Sequence, residues 1–257
     1  MQATTFEKTR PSDYLTRFAA SDFGQAYKSV AVSELAIGPG DVVVDLGCGP
    51  GADLPAFAAA AGNGGRVIGV DQDPDAVRQA REATAALPCV EVREADIQAL
   101  DLPEASVDRV HTDRVLQHVP EPGAAMVHAR RVLRPGGTAV FAEPDWDTLI
   151  IDYPDPAIAR SYARYITDHV VRNATIGRAL PRLATAAGFR VDKIIPITAV
   201  FRDAQAADKV LGLQRVTERA VAARYLTADS ASQWLSHLAT QPFFASGTTF
   251  IITATAA

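Results

Sequence analysis

From Val42 onward the chain alternates between short β-branched runs and longer Ala-rich stretches that repeat at helical spacing. Residues 42–44 are three valines in a row, the kind of run that a parallel sheet buries on both faces. Residues 52–61 read as a helix, with Pro55 tolerable only in its first turn, and the glycine-rich 62–65 segment ends it. A second strand is predicted over 66–70 and a second helix over 74–86, opened by Asp73 as N-cap with Pro74 at the first helical position. Strands follow over 90–93, 107–112 and 138–142, with a helix over 123–133 between the last two. Ahead of this block, Tyr14, Leu15 and Phe18 stand at helical spacing, and a further helix over 24–35 stops at the Gly/Pro break of 37–41.

After Glu143 the rhythm changes. Residues 144–177 hold a Pro- and Asp-bearing loop and an aromatic helix with Tyr162 and Tyr165. Residues 180–187 read as a helix stopped by Gly188, 191–201 as a sixth strand and 248–255 as a seventh. About forty helical residues separate those last strands, far more than a hairpin needs. Alternating strands and helices imply an α/β chain with a mostly parallel, doubly wound sheet of seven strands. Its ligand crevice is expected at the carboxyl ends of the strands. The chain reads as a single domain: helices of 1–38 as a lid, a cofactor-binding core over 39–143, and cap insertions on the substrate side over 144–177 and 203–242.

Composition narrows the function classes. With 257 residues, 48% hydrophobic and 21% charged, the chain can bury a full core. Its 25 basic and 30 acidic residues leave a net charge of −5, which argues against a nucleic-acid partner. Cys48 and Cys89 are the two cysteines, too few for a disulfide scaffold and without metal-site spacing, so a cytoplasmic setting is expected. The first residues lack the apolar stretch of a secretory signal, and no run of about 18 apolar residues predicts a membrane span.

Candidate chemistry concentrates at the strand ends. In the run from Val43 to Gly51 (VVDLGCGPG), glycines let the backbone turn sharply and present its N–H groups to a ligand ahead of a helix N-terminus. Taken alone, Gly47, Gly49 and Ala52 also satisfy a dinucleotide fingerprint, with Asp71 placed for a ribose. Asp45 separates the two readings in part. A carboxylate at the end of a buried strand needs a cation or several donors; pyrophosphate would repel it, and the ammonium group of a methionine moiety would suit it. Asp96 follows the third strand and reads either as an acceptor for an adenine amino group or as a loop N-cap.

These residues resemble the class I S-adenosylmethionine-dependent methyltransferases. The glycine run resembles their first motif. Val70-Asp71, Ala95-Asp96-Ile97 and Leu133-Arg134-Pro135-Gly136-Gly137 match later landmarks in order and spacing, and the segment from Leu116 to Pro122 is similar to the ubiquinone/menaquinone-type small-molecule branch. The resemblance covers residues 39–143, with Ala187-Gly188-Phe189 as a further match, and implies a Rossmann-like fold and S-adenosylmethionine as cofactor. It implies that Gly47, Gly49 and Gly51 form the loop facing the cofactor's methionine and ribose, with Asp45 steadying that end. Asp71 would take the ribose, Gln72 the adenine edge, Asp96 the adenine amino group, and Ile97 the ring. Asp113 would meet the amino group, with His118 bordering the methionine tail or serving as a structural histidine. Arg114 departs from the small residues common in its slot and reads as a substrate contact.

Methyl transfer is a displacement at a carbon already activated by a sulfonium, so the protein mainly aligns the reactants and excludes water. His118, His169, Glu143, Asp145 and Tyr165 are candidate bases, with Glu143, His118 and Tyr165 preferred; each also reads as a loop charge, cap or packing group. Asp145, Asp147 and Asp152 are clustered, but a turning loop uses Asp without any metal, and no metal is expected. Tyr14, Phe18, Trp146, Tyr153, Tyr162 and Tyr165 read either as core or as the roof of a pocket, and Tyr14, Phe18, Arg114, Trp146 and Tyr162 are taken as substrate contacts. The expected acceptor is a small organic molecule such as a secondary metabolite or quinone precursor, and a homodimer is an open expectation. Two rivals remain: a cofactor-binding relative that catalyses a non-methylating reaction such as cyclisation, and a nicotinamide-dependent oxidoreductase. The second leaves Asp45, Asp96 and the Pro-Gly-Gly before strand 5 without a role.

Overall fold

The structure, a computed structural model, describes residues 22–256. Its first helix, α1 (Asp22–Leu35), leads into β1 (Val42–Leu46), α2 (Leu54–Ala61), β2 (Arg66–Asp71), α3 (Pro74–Ala83), β3 (Val90–Glu94) and β4 (Val107–Asp113). Then come α4 (Pro122–Val132), β5 (Leu133–Ile151), α5 (Pro156–Tyr165), α6 (Ile176–Ala186) and β6 (Phe189–Phe201). Three short helices, α7 (Ala204–Leu211), α8 (Leu213–Ala222) and α9 (Ala228–Thr240), precede β7 (Ala245–Ala256).

The seven strands form one sheet in the order β3-β2-β1-β4-β5-β7-β6. The four pairs among β1 to β5 are parallel, and β7 runs antiparallel to both β5 and β6. Helices cover both faces, and the valine runs show it locally. Val44 and Leu46 enter the core under α4 and α6, while Val43 enters the opposite core with Tyr27, Leu35 and Phe57. Asp45, between Val44 and Leu46, shares the Val43 face.

The boundaries differ from the pattern where tertiary pairing extends an element. β5 runs 19 residues, through the segment expected to be a Pro- and Asp-bearing loop. Past Ala142, the last residue paired to β4, its strand partner among the described residues is β7 alone. Pro144 therefore sits where one side of the strand needs no ladder donor, and it pairs with Thr249. Pro196 is accommodated on the edge strand β6 for the same reason. α6 begins a turn earlier than expected, at Ile176, and carries Pro181 inside it. α3 stops at Ala83, where Thr84 folds its hydroxyl back to the Ala80 carbonyl at 2.7 Å.

A second hydrophobic core lies beyond the carboxyl end of β5. Trp146, Leu149, Tyr162, Tyr165, Leu211, Val216 and Trp234 join there, contributed by the segments that follow β5 and β6.

Candidate cofactor and acceptor site

The β1–α2 loop is shaped by its glycines. Gly47, Gly49 and Gly51 have φ of +74, +52 and +85°, the left-handed region that other residues enter at a cost. A Cβ on Gly47 would also stand 2.4 Å from a Val115 methyl. The loop is strapped to the end of β2: Gly47 and Cys48 donate to the Val70 carbonyl at 2.7 and 3.0 Å. Asp71 accepts from the Gly49 amide at 2.8 Å and from the Asp73 amide at 2.9 Å.

Asp45 finds its partner inside the protein. Its carboxylate lies 2.8 Å from Nδ1 of His111, its register neighbour on β4, and both side chains are buried. Phe57 meets the imidazole edge-on at 5.1 Å. Burial raises the Asp45 carboxyl, and the hydrogen bond and charge of Asp45 raise His111 against its own burial. Asp45, expected to need a cation or several donors, thus has a histidine as one partner.

One end of the cleft is built by α1. Tyr27 donates to both Asp113 oxygens at 2.9 and 2.7 Å. Lys28 bridges Asp53 at 2.6 Å and Asp113 at 2.5 Å. These residues, with Asp45, Gly47, Gly49, Ala52 and Arg114, line one pocket. Tyr27, Lys28, Asp53 and His111 went unread in the sequence. Their partners lie 25 to 86 residues away, and no local motif marks them.

At the other end, Asp96 is exposed and caps the short turn Ile97–Ala99, accepting from the Gln98 amide at 2.8 Å. That is the loop-cap role, and it leaves Asp96 at the strand end beside buried Ile97. Gln72 is exposed next to Asp71.

A second pocket adjoins the first. It is walled by Trp146, Leu149, Phe201, Val210 and Leu211, with Thr248, Thr249 and Asp145 as polar lining, and Arg114 borders both pockets. Trp146 is fixed by its indole N–H donating to Gln117 at 2.8 Å. Arg114 adopts φ +59°, and its amide donates to the Ala142 carbonyl at 2.8 Å.

The remaining candidates fall elsewhere. Glu143 is fully buried, and its Oε1 accepts from the Val115 and Leu116 amides at 2.7 and 2.5 Å, pinning the turn after β4. Burial pushes its pKa up to about 8 despite those donors. His118 keeps a solvent-facing edge; partial enclosure, then the charges of Arg114 and Arg172, draw its pKa down to about 4. Tyr162 donates to the Leu211 carbonyl at 3.0 Å and packs on Trp234, so it supports the second pocket from behind. Tyr165 is in the same core, against His169 and Tyr225, and Tyr153 packs edge-on to Trp234. Tyr14 and Phe18 lie outside the described residues.

Asp145 and Asp147 are both held by Arg178, and Asp152 is exposed. Among the described residues, one group has metal-compatible spacing, Asp45, Asp53 and His111, and Lys28 already supplies a cation to Asp53. Among them too, no helix is long and apolar enough to cross a membrane.

Comparison with known proteins gives the family of the chain. Residues 37–195 match the family model described as a methyltransferase domain. The chain is 53% identical over its whole length to the uncharacterised 37.1 kDa protein in transposon TN4556 of Streptomyces fradiae, spanning 75% of that protein. Over 46% of its length it is 37% identical to trans-aconitate 2-methyltransferase of Azoarcus sp., spanning 47% of that enzyme. The fold is shared with geranyl diphosphate C-methyltransferase of Streptomyces coelicolor, whose crystal structure contains S-adenosyl-L-homocysteine. Its TM-score is 0.61 at 16% identity, covering 100% of this chain and 87% of that one. With more than half its length inside the matched model, the chain belongs to the methyltransferase-domain family, and its cofactor is S-adenosylmethionine.

Proposed function

We propose that the chain moves a methyl group from S-adenosylmethionine to a small organic acceptor bound in the pocket beyond Arg114. The observation that carries this reading is the meeting of two pockets at one residue: a polar one built on the glycine loop and an apolar one built on Trp146 and Phe201. The cofactor supplies a methyl carbon on a sulfonium.

Left-handed glycines beside an open cleft are what a cofactor packed against bare backbone requires. In this reading Gly47 and Gly49 border the methionine and ribose part, and Asp71 and Gln72 serve the ribose and adenine edge. Asp96 and Ile97 take the adenine, while Asp113, Tyr27 and Lys28 form the amino-acid end. Trp146, Tyr162 and Arg114 shape the acceptor side. Glu143 is a positioning residue here, because its oxygen holds the turn that carries Arg114 to Leu116. The segments 144–177 and 203–242 act as the substrate cap.

Calorimetry with S-adenosylhomocysteine and with NAD tests the cofactor assignment. Binding of the first alone is expected, and binding of NAD alone overturns the reading. Incubation with labelled S-adenosylmethionine and bacterial metabolite extracts tests transfer. Tight cofactor binding with no label passed to any acceptor would favour a non-methylating reaction.

A further inference from the structure

We propose that Gln117 is the positioning residue that ties the acceptor pocket to the cofactor pocket, by pinning the Trp146 indole to the turn after β4. This rests on the methyl-transfer reading above and names a residue that lines neither pocket itself.

Gln117 is a buried amide among apolar neighbours. Leu116 and Val119 beside it enter the core under α4, and Gln117 is enclosed as fully, at 1% exposure. An amide taken out of water costs free energy unless its polar atoms find partners. Both do. Its Nε2 donates to the Arg114 carbonyl at 3.1 Å, and its Oε1 accepts from the Trp146 indole at 2.8 Å. A leucine would fill the same space with no polar group to satisfy. What the amide adds is direction, because it joins two segments at fixed points.

Those points lie on the walls of the two pockets. Trp146 walls the apolar one, and Arg114 borders both. The turn that carries Arg114 also touches the glycine loop. A Cβ on Gly47 would stand 2.4 Å from a Val115 methyl, so Val115 already lies against the bare Gly47 backbone. Glu143 stiffens the turn by taking the Val115 and Leu116 amides. Gly47, Val115, Gln117 and Trp146 therefore form a contiguous chain of packed and hydrogen-bonded groups, the kind that carries coupling between sites.

A ring of hydrogen bonds closes around the same residue. The Asn173 amide donates to the Gln117 carbonyl at 3.0 Å, and the Trp146 amide donates to the Ala174 carbonyl at 2.8 Å. Asn173 Nδ2 adds bonds to the Leu116 and Val119 carbonyls, both at 2.8 Å. The backbone bonds of this ring form whatever side chain stands at 117, whereas the indole bond depends on Gln117. Replacing it leaves the segments joined and takes this anchor from the wall. An in-line displacement tolerates little misplacement of the nucleophile, about 1 Å costing up to roughly a hundredfold. A wall locked to the turn beside the cofactor keeps acceptor and methyl carbon in register.

The chain has two tryptophans, so the indole region of a ¹H–¹⁵N spectrum shows two resonances, and Trp234→Phe identifies them. Adding S-adenosylhomocysteine to wild type should move the Trp146 resonance and leave that of Trp234, bonded to Thr217 in the core beyond β5, in place. Gln117→Met keeps the side-chain length and removes both amide bonds. It should shift the Trp146 proton upfield, as loss of a hydrogen bond does, and abolish its response to S-adenosylhomocysteine, which calorimetry should still show bound. Gln117→Glu, which keeps an acceptor for the indole, should hold the Trp146 resonance near its wild-type position, and it decides the matter if the Met variant does not fold. A Trp146 resonance that ignores S-adenosylhomocysteine in wild type, that responds equally in Gln117→Met, or that stands at the position of a free indole in Gln117→Glu overturns the proposal. Loss of S-adenosylhomocysteine binding in a folded Gln117→Met also overturns it, because the residue would then serve the cofactor site itself. Failure of wild type to bind S-adenosylhomocysteine would instead overturn the methyl-transfer reading beneath it.

Discussion

At Glu143 burial and hydrogen bonding pull in opposite directions. The side chain is fully enclosed, and one oxygen organises the turn after β4 while the other meets no hydrogen-bond partner among the described residues. Burial prevails and lifts the pKa from 4.5 to about 8. The folded state therefore holds this proton more tightly than the unfolded chain. The stabilisation is fully present below about pH 4.5 and is lost as pH rises through about 8. Glu143→Gln keeps an acceptor for Val115 and Leu116 without the ionisation. It should gain on wild type by up to about 1.4 kcal/mol for each pH unit across that window, read from urea unfolding at a series of pH values. Parallel stability curves for the two proteins would contradict the buried carboxyl. At this scale the sequence marked which side chains carry chemistry, but not their partners. Asp45 reads as needing a cation or several donors, and His111, 66 residues away in sequence, is one such partner.

α1 shows what an element gains from its docking. Nothing in its own residues distinguishes Lys28 from a solvated lysine. Packed on the sheet, its ammonium lies between Asp53 and Asp113. Burial opposes that charge, yet the two carboxylates outweigh it and raise the Lys28 pKa well above the usual lysine value. Lys28→Met should leave both acids without their cation and cost about 3 kcal/mol at neutral pH. Adding Asp113→Asn should recover part of that loss. A Met variant as stable as wild type in urea unfolding would show that α1 is held by its apolar face alone. Element type was legible from period and caps: Asp73 opens α3 as read, accepting from Asp75 at 2.9 Å. Element length was less so, since β5 continues through Pro144 because β7 pairs with it there.

On the scale of the whole molecule, one sheet carries cores that are separate from the one beyond the end of β5. Two cores pack on the two faces of β1 and β2, and the segments after β5 and β6 have their own core around Trp234, whose indole donates to Thr217 at 3.1 Å. Trp234→Ala should destabilise the protein by about 3–5 kcal/mol. Because the glycine loop belongs to another core, S-adenosylhomocysteine affinity should change by less than roughly threefold at a temperature where the variant stays folded. Loss of cofactor binding in that variant would show the cores to be coupled. The sequence by itself determined the alternation of strands and helices, the sharp glycine turn, and the acids waiting at successive strand ends. All of these depend on neighbours within a few residues, through steric limits on φ and the spacing of apolar positions. Tertiary structure alone decided the strand order, the reversal of β7, the Asp45–His111 and Lys28–Asp113 pairs, and the position of Arg114 between the two pockets. These depend on which distant segments the packed sheet brings together, and no local period encodes that choice.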